Sequence, residues 1–425
     1  QHKIIWMKMN EATEIKLSAA LYIIFFSMVL SLNPASGIPR RIDRTPSRAP
    51  RKILPDRLLV AYTSNNCADP AAMSKVTDAV KEGVNVLIWA FVGFEISSKS
   101  GDSGRPGLEL AGPFDVGSLM EYKKSLGAMG YVDVVHLAAL GGWNGPHLPP
   151  GFSGGELYDA FAAYNSQLRS GGGETDGANE YIWDGFDWDL EGHDDARSPT
   201  NELTIECLDQ MVEMSAAAKA DGLLVSMAPP ESYLDTTSSK FSRSLNLVYP
   251  EPWHRDFKYH GSNAYAYVLA RLGDSIDFIF LQFYESYSHA DYQIVKQGVK
   301  PGEFLKNYVS QLAKNDERYW VTFEDDAPVT NIPNQYVSVP LRKLVWGFAN
   351  GWAKNEDVGE KVCFFPPSEI KDAYAELSRQ GYAPRGMGYW VIEEEGKHDL
   401  FLTKRLNEVL QIRPVLKNKC KDKPL

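Results

Sequence analysis

Cysteine is scarce. The 425 residues hold four, Cys67, Cys207, Cys363 and Cys420, and no two stand in a C-x-x-C spacing. That excludes a small disulfide scaffold and a zinc ribbon. Histidine is also thin, eight in all with no H-x-x-x-H pair, so no metal site and no cofactor is expected. No G-x-G-x-x-G follows the first apolar run, which removes the dinucleotide fingerprint. No Asn-x-Ser/Thr acceptor and no short-period repeat occurs. Positive charge is outnumbered in the body. Residues 38–57 carry seven cations against two carboxylates, and 412–425 carry five against one. The span between them is therefore more acidic than the whole-chain net charge of −11 implies. Such a body repels a phosphate backbone. No nucleic acid partner is expected, and a neutral or cationic ligand fits better.

Long apolar runs are absent but for one. Residues 17–32 read LSAALYIIFFSMVLSL, sixteen without charge, after Lys8 and Lys16 and before Pro34-Ala35-Ser36-Gly37. A basic start, an apolar middle and a small-residue end make 1–37 a signal peptide, and the run is short for a membrane span. The expectation is secretion, or delivery to a lumen, with no stable span after cleavage. Residues 38–57, rich in Pro and Arg, read as a solvated linker or pro-segment, and 412–425 as a Lys-rich tail. Secretion permits disulfides, but four cysteines allow three pairings and sequence does not choose.

What is present is 44% hydrophobic and 12% aromatic, enough for a large core. From 58 on, short apolar runs alternate with amphipathic stretches. Eight runs read as strands: 58–62, 84–91, 132–139, 185–191, 223–228, 276–284, 343–348 and 386–392. Helices are expected at 71–82, 117–129, 202–219, 303–314 and 367–379, the last with Ser368 as a cap near its start. Continuous apolar strands separated by helices describe an α/β fold, a single (β/α)₈ TIM barrel over 58–411. The connection 349–385 is too short for a small α+β insertion domain. Nothing asks for a partner chain, and a monomer is expected.

The fourth strand carries the chemistry. Residues 181–192 read YIWDGFDWDLEG. With a period of two, Asp187, Asp189 and Glu191 share one face and Phe186, Trp188 and Leu190 the other. Asp184 has the opposite parity. Same-face neighbours lie about 6–7 Å apart. Carboxyls so crowded cannot all ionise, so one keeps its proton to higher pH, as a general acid must. Glu191 stands at the C-terminal end of its strand, where barrels build active sites.

Asp184-Gly-Phe-Asp187-Trp-Asp189-Leu-Glu191 resembles the D-G-x-D-x-D-x-E signature of glycoside hydrolase family 18 chitinases. Ala139-Leu140-Gly141-Gly142 resembles the family's S-x-G-G segment, with Ala139 where serine is usual. Gln282-Phe283-Tyr284-Glu285 resembles the Q-x-Y-N segment of the plant-type, hevamine-like branch, with Glu285 where asparagine is usual. Met387-Gly388-Tyr389-Trp390 resembles the segment ending in the active-site tryptophan. The resemblance implies a chitinase acting on chitin or N-acetylglucosamine oligosaccharides through the substrate's own acetamide. It implies Glu191 as acid, Asp189 and Asp187 as its partners, and Tyr284 on the acetamide oxygen. It also implies sugar contacts from Trp390, Gln282, Tyr62 and Phe91. Gly142, Trp143 and Met227, at strand ends, are further expected to border the groove. Without the insertion domain the groove is expected to be open and cutting internal. Two other outcomes of the same pattern are a non-catalytic carbohydrate-binding protein and an endo-β-N-acetylglucosaminidase acting on N-glycans.

Overall fold

The computed structural model describes residues 52–64, 67, 69–100, 106–166, 181–195, 197–245, 263–285, 288–323, 332–354 and 363–413. The expected signal peptide at 1–37, residues 38–51 of the expected linker, Cys420 and the expected tail from 414 lie outside them. Eleven strands are described. They are β1 (Leu58–Thr63), β2 (Val86–Ser100), β3 (Pro106–Ala111), β4 (Val135–Gly142), β5 (Gly185–Leu190) and β6 (Leu224–Met227). Then come β7 (Phe278–Gln282), β8 (Arg318–Val321), β9 (Gln335–Ser338), β10 (Leu344–Ala349) and β11 (Gly386–Trp390).

Eight of these, β1, β2, β4, β5, β6, β7, β10 and β11, pair in parallel with their neighbours, and β1 closes the ring by pairing with both β2 and β11. The result is the expected (β/α)₈ barrel, and no separate insertion domain is evident among the described residues. Helices Pro70–Lys81, Val116–Ala128, Ile205–Ala220, Pro301–Lys314 and Pro367–Gln380 stand where amphipathic periodicity puts them. Ser368 does not cap the last of these. Pro366 holds the N-cap position without a side-chain bond, because paired prolines already fix the extended entry and leave Ser368 inside the first turn.

Strand parity divides the core in two. One face of each strand meets the helices, and Phe186, Trp188 and Leu190 lie in that outer layer. There the Trp188 Nε1 donates to Ser215 Oγ at 2.8 Å. The other face fills the barrel with Val60, Ile88, Leu137, Phe280, Val345 and their neighbours. Phe280 occupies that interior because β10 and β11 offer it room. A Cβ at Gly347 would stand 2.5 Å, and one at Gly388 2.7 Å, from its ring.

Three features depart from expectation. The second strand does not stop at 91: β2 runs on to Ser100 and pairs antiparallel with β3, making an arm above the barrel's C-terminal end. A hairpin of β8 and β9 intervenes between β7 and β10. Residues 52–57 are docked rather than solvated. Lys52 donates to the carbonyls of Val132 (3.0 Å) and Val134 (2.7 Å), Arg57 to that of Leu410 (2.6 Å), and Leu54 packs against the barrel interior. Cys207 and Cys363 are free thiols in the core.

Candidate active site

β5 is flanked by β4 and β6, so every inward side chain on it faces one residue on each side. Ala139, Asp187 and Ser226 stand abreast in register. Asp187 is fully buried and accepts from Tyr62 Oη at 2.7 Å and from Ser226 Oγ at 2.5 Å. Burial pushes its carboxyl up to about 7, against the two hydroxyls, which favour the anion. Asp189, 3% exposed, accepts from Gln282 Nε2 at 2.8 Å, and the same amide donates to the Ala228 carbonyl at 2.6 Å.

The carboxyls of Asp189 and Glu191 are hydrogen-bonded to each other. Burial first, then the neighbouring Asp189 and Glu285, raise Glu191 well above an ordinary glutamate. Burial first, then Asp187, raises Asp189 well above an ordinary aspartate too, so the pair holds on to a proton, and Glu191 Oε2 meets no hydrogen-bond partner among the described residues. The main chain beneath is held tightly. Leu190 N donates to Tyr265 Oη (2.7 Å), Gly192 N donates to Tyr233 Oη (3.1 Å), and His147 Nε2 lies 2.8 Å from the Glu191 carbonyl. Sequence reasoning missed all three of these positioning residues. They sit outside the strands, and only tertiary contact reveals them.

An aromatic floor lies beside the carboxyls. Trp390 stacks on Phe91 with ring centroids 5.5 Å apart and 21° between planes, and lies tilted against Tyr62 at 5.6 Å and 55°. Trp352, also missed, donates from Nε1 to the Trp390 carbonyl at 3.0 Å and meets Tyr284 edge-on at 6.1 Å. Gly142 serves this floor. Its φ is +87°, and a Cβ there would stand 2.6 Å from the Phe91 ring.

The structure therefore brings together Asp187, Asp189, Glu191, Gln282, Tyr284, Tyr62, Phe91, Trp390 and Gly142. It does not bring Met227 to them. Ser226 points inward to Asp187, so Met227 points outward and is buried in the layer under the helices. Trp143 stands one step away, its Nε1 donating to Asp194 Oδ1 at 3.0 Å, where it ties the loop after β4 to the loop after β5. Asp184 is structural. Its Oδ2 accepts from His136 N at 2.8 Å and faces Lys52 at 3.7 Å, at the opposite end of β5 from Glu191. Among the described residues no group of three or more His, Cys, Asp or Glu is arranged to hold a metal ion. No helix among them is long and apolar enough to cross a membrane.

This acid content has a stability consequence. Burial lifts Asp187, Glu231, Glu285, Asp291 and Glu395 each to about 7. A carboxyl whose folded pKa exceeds its unfolded value contributes stability that is complete below about 4 and lost as pH rises through about 7. The unfolding midpoint is therefore expected to be higher at pH 5.5 than at pH 8. Glu285→Gln, which has no proton to lose, should shrink that difference. Calorimetry at the two pH values checks both, and a midpoint that rises toward pH 8 contradicts the assignment.

No family model matches the chain, and no curated protein matches it in sequence. Solved structures do match. A family 18 chitinase from Crocus vernus is 14% identical, with a TM-score of 0.47 over 84% of this chain and 100% of that one. The catalytic domain of a family 18 chitinase from the fern Peteris ryukyuensis is 15% identical, at 0.46 over 84% and 100%. A fungal endo-β-N-acetylglucosaminidase of the same family is 16% identical, at 0.44 over 86% and 99%. These are likenesses of fold at low identity.

Proposed function

We propose that this chain is a secreted glycoside hydrolase that cuts β-1,4 linkages between N-acetylglucosamine units, with retention and with the substrate's acetamide as nucleophile. The observation that carries the reading is the buried Asp189 and Glu191 pair at the C-terminal end of β5, in which Glu191 Oε2 is left without a hydrogen-bond partner. A two-carboxylate retaining mechanism keeps its carboxyls about 5–5.5 Å apart, and an inverting one about 6.5–9.5 Å. Asp189 and Glu191 are in hydrogen-bond contact, so Asp189 is badly placed to act as either the nucleophile or the water-activating base. The nucleophile then comes from the sugar.

Glu191 gives its proton to the glycosidic oxygen as the bond from that oxygen to the anomeric carbon breaks. The acetamido oxygen forms the new bond to that carbon. Asp189, relieved of the Glu191 proton, accepts from the acetamide N–H and offsets the positive charge of the oxazolinium ring. Tyr284 donates to the acetamido oxygen and aims it. Asp187 tunes the charge on Asp189. Glu191, now a carboxylate, takes a proton from water as it opens the ring. A nucleophile already attached to the substrate removes the entropic cost of bringing one in. Trp390 supports the sugar's apolar face.

The chain acts as a monomer on chitin oligosaccharides and cuts internal bonds. The test is hydrolysis of a chitin hexamer followed by proton NMR. The expected first product is the β-anomer, from internal cuts, and the corresponding β-1,4-glucose oligomer, which lacks the acetamide, is left whole. Release of an α-anomer, or strict release of dimers from one end, overturns the respective part of the reading. Cleavage of a glycoprotein N-glycan but not the hexamer would assign the endo-β-N-acetylglucosaminidase activity instead. Tight binding without turnover would assign a lectin, which Glu285 and Ala139 favour by departing from the resemblance.

A further inference from the structure

Asp187 is held asymmetrically. Of the two residues abreast of it, Ala139 on β4 has no donor and Ser226 on β6 places its hydroxyl 2.5 Å from Oδ1. Tyr62 on β1 occupies the other oxygen at 2.7 Å. Both oxygens of a carboxylate at the centre of the barrel are thus met by neutral hydroxyls. A serine is the one polar residue on β6, in the run Leu-Val-Ser-Met (Leu224–Met227), and it is fully buried. A buried hydroxyl in an apolar strand has to be matched by a partner, and its partner is the acid row.

We propose that Ser226 is a positioning residue for this acid row, supplying from the β6 side of Asp187 the hydroxyl that Ala139 cannot supply from the β4 side. The inference deepens the hydrolase reading and rests on it for its effect on turnover, but its effect on Asp187 stands independently. The ionisable groups around Asp187 are Tyr62 on β1, Asp189 on its own strand, Tyr284 at the end of β7 and Tyr265 beside β5. No cation is among them. Hydroxyl donors are therefore what keeps Asp187 able to ionise in a buried place. An ionised Asp187 in turn opposes ionisation of Asp189, so the proton stays distributed along the row.

The test uses the full chain in four forms: wild type, Ser226→Ala, Ala139→Ser/Ser226→Ala and Asp187→Asn. Infrared difference spectra across pH 4–9, with aspartate labelled by carbon-13, follow the carboxyl that Asp187→Asn removes. Ser226→Ala should move its titration upward by about one pH unit, the worth of one hydrogen bond to a charged group. The double variant, with the hydroxyl restored from the opposite flank, should bring it back. Hydrolysis of the chitin hexamer should follow in step: the acid limb of the kcat profile moves up by about one unit in Ser226→Ala, so kcat at pH 5 falls about tenfold, and the double variant recovers it. KM should hold. An unmoved titration in Ser226→Ala, or one that the double variant fails to restore, overturns the proposal. If wild type hydrolyses nothing, the hydrolase reading fails, and the titration still decides what Ser226 does.

Discussion

Glu191→Gln is expected to abolish turnover of the chitin hexamer, with kcat lower by about 10²–10⁴-fold, the usual worth of a general acid. The substitution keeps the shape and removes the proton. Gln282, Asp189 and the Tyr265, Tyr233 and His147 contacts to the main chain all remain, so the groove keeps its form. KM should change by no more than a few-fold, because Glu191 acts on the bond being broken rather than on the sugar's faces. A binding isotherm for the hexamer, measured beside the rate, separates the two effects. If Glu191→Gln still cuts within a few-fold of wild type, the proton comes from elsewhere, and Glu285, raised to about 7 and close enough to perturb Glu191, becomes the residue to change.

Gly185→Ala is expected to be the most damaging small substitution in the barrel. The Gly185 Cα lies so close to β6 that an added Cβ would stand 1.9 Å from the Leu224 carbonyl oxygen and 2.6 Å from its carbon. Both are backbone atoms and cannot rotate away. β5 and β6 must separate, and the ladder from Gly185–Leu224 through Asp187–Ser226 opens with them. The cost is about 3 kcal/mol or more, lowering the unfolding midpoint of a barrel this long by about 4 °C or more. Hydrolysis should fall as well, because the same separation pulls Ser226 from Asp187. Gly155→Ala is the control. Its nearest neighbour to a new Cβ is 3.8 Å away and it lies in the helix Gly154–Asn165, so it should be neutral or slightly stabilising. Thermal melts of the two variants side by side decide the matter. Equal midpoints would contradict the close approach of β5 and β6.

The barrel was legible because its strands are buried on both faces and announce themselves as unbroken apolar runs. Carboxyls at 187, 189 and 191 stood out for the same reason: charge has no business in such a strand unless it works. What could not be read depends on contacts between distant segments. The arm of β2 with β3 and the hairpin of β8 with β9 are short alternating stretches, whose pairing is settled by neighbours that a local pattern does not name. Met227 is expected at the groove from its place near the end of the run 223–228, and place along a strand says nothing of parity. Ser226, the odd polar residue beside it, was the signal that would have set parity correctly and turned Met227 outward. Gly185 read as part of a motif without a role, since the nearness of Leu224 is a property of two strands, not one. Lys52 and Leu54 read as linker because their composition matches the leader. The Val132 and Val134 carbonyls that bind Lys52 are far away in sequence.

Phe280 closes the barrel's middle against the two glycines facing it, and Leu54 covers the far end. The acid row thus has solvent on one side at most, toward the C-terminal end of the strands. On the proposed function, a polysaccharide laid across that end would cut off exchange of hydrogen ions with bulk solvent, and the protons of a turnover would be fixed at the moment of docking. A solvent-isotope experiment on the docked complex would therefore see slow exchange at Glu191 until the leaving half departs.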